Sequence, residues 1–188
     1  MEALLKRIDQ IGYVSDGLRT YLQQHVKPQS LNKSAFLLEA GQISNKMYFV
    51  EAGLLRGYYL KDGKEVTTWI MAEGEVVISI LSFYTQKPSY EYIEAIEDCR
   101  LWTMSYDKVT QGYELFPEFN FIARKFTERY YVLSEYRSYY LRMHTAEERF
   151  KLLINDFPTI LARVKQKDVA SLLGISAETL SRILAKKL

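Results

Sequence analysis

The most constraining stretch of this chain is 164–184, VKQKDVASLLGISAETLSRIL, because it fixes two short helices and the turn between them. Val169 and Leu173 lie four apart and share one helical face. Ala170 beside them is small enough for a second helix to cross closely. Gly174 follows the last apolar position, where helices commonly end in a left-handed residue that glycine adopts at no steric cost. Ser176 is a good N-cap, its hydroxyl open to the N–H groups that begin the next helix. Ile175 before the cap and Leu180 after it have the spacing of a hydrophobic staple. Leu180, Ile183 and Leu184 form the buried face of the second helix, leaving Ala177, Glu178, Ser181 and Arg182 outward. Two helices across such a turn are the arrangement that lays a helix in the major groove of DNA.

Charge follows the same division. The chain carries a net +2, but from Arg142 onward there are nine Lys or Arg against five Asp or Glu, and before it sixteen against eighteen. A basic tail behind a mildly acidic front fits a sensor domain followed by a DNA-contacting one. Lys165, Lys167, Arg182, Lys186 and Lys187 cluster around the two helices and are the candidate phosphate contacts.

The front part has a different rhythm. Residues 1 to 24 follow a helical period around Leu4, Leu5, Ile8 and Ile11. After Pro28 come short runs at 35–39, 47–51, 54–61, 64–71, 76–81, 91–96 and 100–105, seven or eight strands punctuated by glycines 41, 53, 57, 63 and 74. Asp62-Gly63 between two runs is a strong hairpin signal, since a type I′ turn needs two residues with positive φ. Such spacing predicts a β jelly roll, and with its helices the chain is of the α+β class.

A single long helix is predicted over 117–143, with Phe119, Ile122, Phe126, Tyr130, Leu133, Tyr136 or Arg137, and Tyr140 at three- and four-residue intervals. Phe121, Val132, Tyr139 and Leu141 add apolar groups on other sides, so one face can meet the barrel and another a second copy of the chain. Thr145 to Glu148 open the next helix as a capping box, which makes Met143 and His144 the hinge. Pro158 redirects the chain before the two-helix segment.

Composition narrows the chemistry. No run approaches the roughly 18 apolar residues of a membrane span, and 1–7 reads as an amphipathic helix rather than a signal peptide. Cys99 is the only cysteine, so no internal disulfide forms and a reducing cytoplasm is expected. One cysteine cannot hold an iron–sulfur cluster, and His25 and His144 belong to regions that need not converge. A metal-dependent barrel enzyme would need several histidines on neighbouring strands, and the β region has none after His25. Neither a metal, a cofactor nor a catalytic constellation is expected. Fifteen tyrosines, with Trp69 and Trp102 in strands, would suit an aromatic-lined pocket for an apolar or planar ligand.

The run 174–184, GISAETLSRIL, resembles the recognition helix of the Crp/Fnr family of bacterial transcription regulators. The resemblance implies a phosphate contact for Ser176, base-edge readout for Glu178 and Arg182, and a supporting polar role for Thr179. Arginine can pair with guanine O6 and N7, and glutamate can accept from the cytosine amino group. Ala177 stands where many members carry another base-reading side chain, so its methyl can at most touch a thymine methyl. Around 47–53 and 72–75 the chain is also similar to that family's cyclic-nucleotide-binding domain. Its ligand signature is missing. Aligned on Gly74, the glycine-glutamate pair that holds the ribose falls on Ile78-Ser79. The arginine and small hydroxyl residue that hold the cyclic phosphate fall near Ser89 and Tyr90. A cyclic phosphate would lose its bidentate cation and meet Glu91, with Lys87 the one substitute charge nearby.

The resemblance therefore implies a sensor barrel with an N-terminal helix at 1–116, a dimerisation helix at 117–143 and a helix-turn-helix domain at 144–188. Most relatives continue into a β-hairpin wing, so a wingless domain of modest affinity is expected. The implied protein is a homodimer on a palindromic stretch of double-stranded DNA, governed by an unidentified effector, a small molecule other than a cyclic nucleotide or a partner protein. RNA polymerase would be a further partner of an activator. The alternative is a dimeric sensor that acts through protein contacts and no longer reads DNA.

Overall fold

Asp62 and Gly63, at φ 52° and 74°, turn strand β4 (Leu55–Lys61) back into β5 (Lys64–Met71), with Lys61 paired to Lys64. Both residues take the left-handed region that the two-residue hairpin requires. The computed structural model describes residues 1–186, so Lys187 lies outside the described residues. Six further strands complete the β region: β1 (Lys27–Leu31), β2 (Phe36–Leu38), β3 (Lys46–Ala52), β6 (Val76–Val77), β7 (Glu91–Ala95) and β8 (Cys99–Ser105). They form two four-stranded sheets, ordered β1-β8-β3-β6 and β2-β7-β4-β5, with every pairing antiparallel. Eight strands in two sheets are the jelly-roll arrangement. Val50, Leu55, Val77, Ile93 and Leu101, drawn from both sheets, are at most 2% exposed and form the core of the barrel.

A second apolar cluster lies where the helices meet the first sheet. Helices α1 (Glu2–Asp9), α2 (Asp16–His25), α4 (Tyr106–Leu115) and α5 (Pro117–Met143) contribute Ile8, Leu18, Leu22, Val109, Phe119 and Ile122, and β8 contributes Met104. Pro117 occupies the first turn of α5, where its missing N–H costs nothing. Ser15 caps α2 by accepting from the Leu18 N–H at 3.1 Å, and its hydroxyl donates to the Glu118 carboxylate, which ties α2 to the start of α5.

The long helix spans 27 residues and ends at Met143, with His144 extended at φ −112°, ψ 145°. Only its Phe119 and Ile122 are buried, and they face the barrel cluster. Farther along, Val132, Tyr136, Tyr139 and Met143 are exposed. Their 4-3-4 spacing marks a stripe distinct from the one that packs on the barrel.

Four expectations need correction. The run 76–81 is not one strand: β6 ends at Val77, and α3 (Ile80–Thr85) starts after Ser79. The helical period of residues 1–24 is interrupted by an extended segment and becomes α1 and α2. Strand pairing starts at Lys27, before Pro28, which β1 tolerates because it lies at the edge of its sheet. Helix α4, which the strand pattern did not foreshadow, follows directly from β8.

The C-terminal unit comprises α6 (Ala146–Asp156), α7 (Ile160–Arg163), α8 (Gln166–Leu172) and α9 (Ala177–Ala185). The capping box at the start of α6 forms, with Thr145 Oγ1 accepting from the Glu148 N–H and Glu148 accepting from the Thr145 N–H. Phe150, Ile160, Val164, Val169, Leu180 and Ile183 make its core, and Leu54 of the barrel, with no exposed surface, is part of the same cluster.

Candidate nucleic-acid interface

The α8–α9 turn forms from its own sequence. Gly174 sits at φ 66° and its N–H donates to Ser171 O, while the Ile175 N–H donates to Ala170 O, both at 3.0 Å. These two bonds are the Schellman closure of a helix end. A Cβ on Gly174 would also stand 3.1 Å from Leu141 Cδ2 of α5, so the turn is pressed against the long helix. Ser176 Oγ then accepts from the Thr179 N–H at 3.2 Å and caps α9.

Leu180 and Ile183 are buried, and Ala177, Glu178, Ser181 and Arg182 are exposed on the opposite side of α9. Thr179 is half-buried and accepts from Arg182 Nη2 at 3.2 Å, which holds the guanidinium along the outer face. The hydrogen bond from Ser176 holds the Glu178 carboxyl below its usual range, so an anionic acceptor stands beside the Arg182 donor. This surface has the donors and acceptors that base edges require. Lys165 is exposed at the N-cap of α8. Lys167 Nζ lies 3.5 Å from Glu65 Oε2 of the barrel, and Lys186 Nζ lies 2.9 Å from Glu147 Oε1. Both lysine side chains remain more than half exposed and free to turn toward a phosphate.

The polar contacts that seat this unit on the barrel have no counterpart in the sequence reading. Arg56 on β4, 5% exposed, donates to Glu94 at 2.6 and 2.9 Å, to Glu65 at 2.8 Å and to Asp168 of α8 at 2.8 Å. Burial pushes the Asp168 carboxyl above its usual range despite Arg56. Next to it the Thr67 N–H donates to Ser171 Oγ at 2.8 Å. Arg163 bridges to Glu73 and Glu97 at 2.8 and 2.7 Å. Arg149 donates to Leu173 O at 2.9 Å and His144 O at 2.7 Å, tying the end of α8 to the hinge. The pairs that cross to the barrel, Arg56 with Asp168, Thr67 with Ser171, and Arg163 with Glu73 and Glu97, join residues 66 to 112 positions apart, which a reading of local pattern cannot connect.

A cavity of about 430 Å³ lies between α5, the N-terminal helices and the barrel. Trp69, Met71, Phe126 and Tyr130 are among its walls, and Arg137 of α5 is its one charged lining residue. The positions aligned with the cyclic-nucleotide signature are otherwise engaged. Ser79 Oγ and Ser89 Oγ lie 3.1 Å apart, and Ser89 Oγ also accepts from the Glu91 N–H at 2.9 Å. Glu91 is buried and accepts from Trp69 Nε1 at 2.6 Å; burial pushes its carboxyl above the usual range. Tyr90 and Lys87 are exposed, and Lys87 does not line the cavity. Among the described residues no cluster of His, Cys, Asp and Glu could hold a metal, and no helix is long and apolar enough to cross a membrane.

Comparisons with known proteins agree with this architecture. Residues 28–114 match the family described as cyclic nucleotide-binding domain. No curated protein matches the sequence. FixK2 from Bradyrhizobium japonicum is similar in structure over 86% of this chain and 83% of its own, with 21% identity and a TM-score of 0.73. The c-di-GMP-responsive global regulator CLP of Xanthomonas campestris is similar over 92% of this chain and 91% of its own, at 17% identity and a TM-score of 0.71. A protein described as a Crp/Fnr-family transcriptional regulator, from Eubacterium rectale, is similar over 92% and 83%, at 15% identity and a TM-score of 0.72. The chain thus carries a cyclic-nucleotide-binding-like barrel within a fold shared, over nearly its full length, with Crp/Fnr regulators.

Proposed function

We propose that this protein is a homodimeric transcription regulator of the Crp/Fnr type, working in the cytoplasm on a palindromic DNA site. The observation that carries the reading is the outer face of α9, where Glu178 and Arg182 stand exposed on a helix capped by Ser176 and backed by its own core. In this reading residues 144–188 form a helix-turn-helix domain. Arg182 and Glu178 read base edges, Thr179 steadies Arg182, Ala177 offers a methyl contact, and Ser176, Lys165, Lys167 and Lys186 hold phosphates. Residues 117–143 form the dimer helix and residues 1–116 the sensor. The two recognition helices of a dimer then meet half-sites about one helical turn apart.

The effector is a small molecule other than a cyclic nucleotide, because Ile78, Ser79, Ser89 and Tyr90 stand where the ribose and phosphate ligands belong. Binding beside α5 would shift the balance between orientations of barrel and DNA-binding unit. An activator would in addition present a surface to RNA polymerase.

The test is selection from a random DNA pool by the purified protein at about 0.1 M salt, where phosphate contacts are screened but not abolished. The wild type should enrich a palindrome, and Arg182→Ala should lose preference at one position per half-site, at a cost of about 1–3 kcal/mol. Binding with no sequence preference in either protein would favour the alternative, a dimeric sensor acting through protein contacts.

A further inference from the structure

The cavity beside α5 has an unusual composition. Its walls come from α1, α2, both sheets, α3, α4 and α5, and they are apolar or aromatic except for a few hydroxyls and one guanidinium. Among the described residues Arg137 has neither a hydrogen bond nor an ion pair; the one charge acting on it is that of Glu91. That carboxyl is buried, accepts from Trp69 Nε1 at 2.6 Å and makes no hydrogen bond with the guanidinium, so it acts on Arg137 only at a distance. Arg137 is half-buried, and burial lowers its pKa while the Glu91 charge offsets only part of that. The guanidinium thus lines an apolar cavity with no carboxylate of the described residues hydrogen-bonded to it.

We propose that this cavity binds a long-chain monocarboxylate, with its apolar body along α5 and its carboxylate on the Arg137 guanidinium. The proposal deepens the sensor reading by giving the effector a chemical class. The lining on α5 runs from Phe119 to Arg137, about 27 Å of helix at 1.5 Å per residue. An elongated slot fits an extended chain better than a compact ring system. The guanidinium fork pairs bidentately with a carboxylate. A dianionic phosphate would bring a second charge for which the lining holds no cation. A nucleoside fits poorly, because its ring nitrogens and ribose hydroxyls would face Trp69, Met71 and Val76. Tyr130, which lines the cavity, has its hydroxyl already spent, donating to Glu75 at 2.6 Å and accepting from the Val76 N–H at 2.8 Å. Exposed Ile80, Tyr84, Tyr131 and Leu133 line the same cavity and give a chain a way in from solvent.

Trp69 and Trp102 both line the cavity and report its occupancy. The experiment titrates full-length protein with dodecanoate, below its micelle concentration, by tryptophan fluorescence and calorimetry. Saturable binding at one site per chain is expected, about fourfold weaker for each methylene removed from the chain. Dodecan-1-ol, which lacks the charge, should bind at least about tenfold more weakly to the wild type, and dodecanoate should lose the same factor in Arg137→Gln. Arg137 makes no hydrogen bond or ion pair among the described residues and feels only the distant Glu91 charge, so that variant should melt close to the wild type. Ala123→Phe, which fills the slot from α5, should weaken acid and alcohol together. Equal affinity for acid and alcohol, no saturation by dodecanoate, or tighter binding of cyclic AMP would each overturn the proposal. No DNA is present, so failure here leaves the DNA-binding reading untouched, and failed DNA selection leaves this result standing.

Discussion

Arg56 and Glu73 illustrate how single side chains seat the C-terminal unit on the barrel. Arg56 is buried among Glu65, Glu94 and Asp168, and losing one member of such a group strands the remaining charges in a low-dielectric site. Arg56→Met should lower unfolding stability by about 3–5 kcal/mol, read as a fall in the urea midpoint at constant slope; a loss below about 1 kcal/mol would show that water reaches the group freely. Glu73 behaves differently because it is partly exposed. Its hydrogen bonds from Arg163 hold it down at about 2, below the usual 4.5. A depressed carboxyl adds stability that is complete above the unfolded value and lost as the pH falls toward the folded one. The wild type should therefore lose stability between about pH 4.5 and 2 more steeply than Arg163→Gln, in melts followed by circular dichroism. Parallel curves for the two proteins would remove Glu73 from the acid response.

At the scale of elements, the two ends of the α8–α9 turn carry separable costs. Ser176→Ala removes the cap of α9 and should cost about 1 kcal/mol. Gly174→Ala forces a side chain into φ 66° against Leu141 and should cost at least as much. Both should speed hydrogen exchange in α9 before the barrel responds; unchanged exchange would mean that tertiary packing alone holds the helix. These features were legible because they are local. A cap, a glycine and an Asp-Gly pair act within a few residues, so the turn, the β4–β5 hairpin and all 27 residues of α5 follow from the sequence. Helix α3 did not, since six residues are too few to show a period, and 76–81 reads as one strand although β6 ends at Val77. The edge strand β1 was hidden by Pro28, which argues against a strand unless edge position is known. Arg56 with Asp168, 112 positions apart, and the lone charge of Arg137 depend on folded proximity that no local pattern encodes. The outward face of α9 was readable as a candidate site, and the clamp that positions it was not.

At the scale of the whole molecule, one chain leaves part of its longest helix uncovered. Helix α5 divides its length, burying Phe119 and Ile122 on the barrel and then exposing Val132, Tyr136, Tyr139 and Met143. That 4-3-4 stripe has the spacing of a coiled-coil seam, and in the proposed dimer two-fold pairing there would carry one copy of α9 on each side of the axis. A single helix-turn-helix makes few phosphate contacts, whereas linking two of them raises the affinity by a factor on the order of 10² to 10⁴. Val132→Glu combined with Tyr136→Glu places like charges across the seam without touching the barrel core. The double variant should sediment as a monomer, keep the far-ultraviolet spectrum of the wild type, and bind the selected palindrome at least about a hundredfold more weakly. Its affinity for an isolated half-site should be unchanged, which separates lost pairing from a damaged α9. A variant that stays dimeric would move the interface elsewhere, and a monomer holding the full palindrome as tightly as the wild type would show that one copy reads DNA alone.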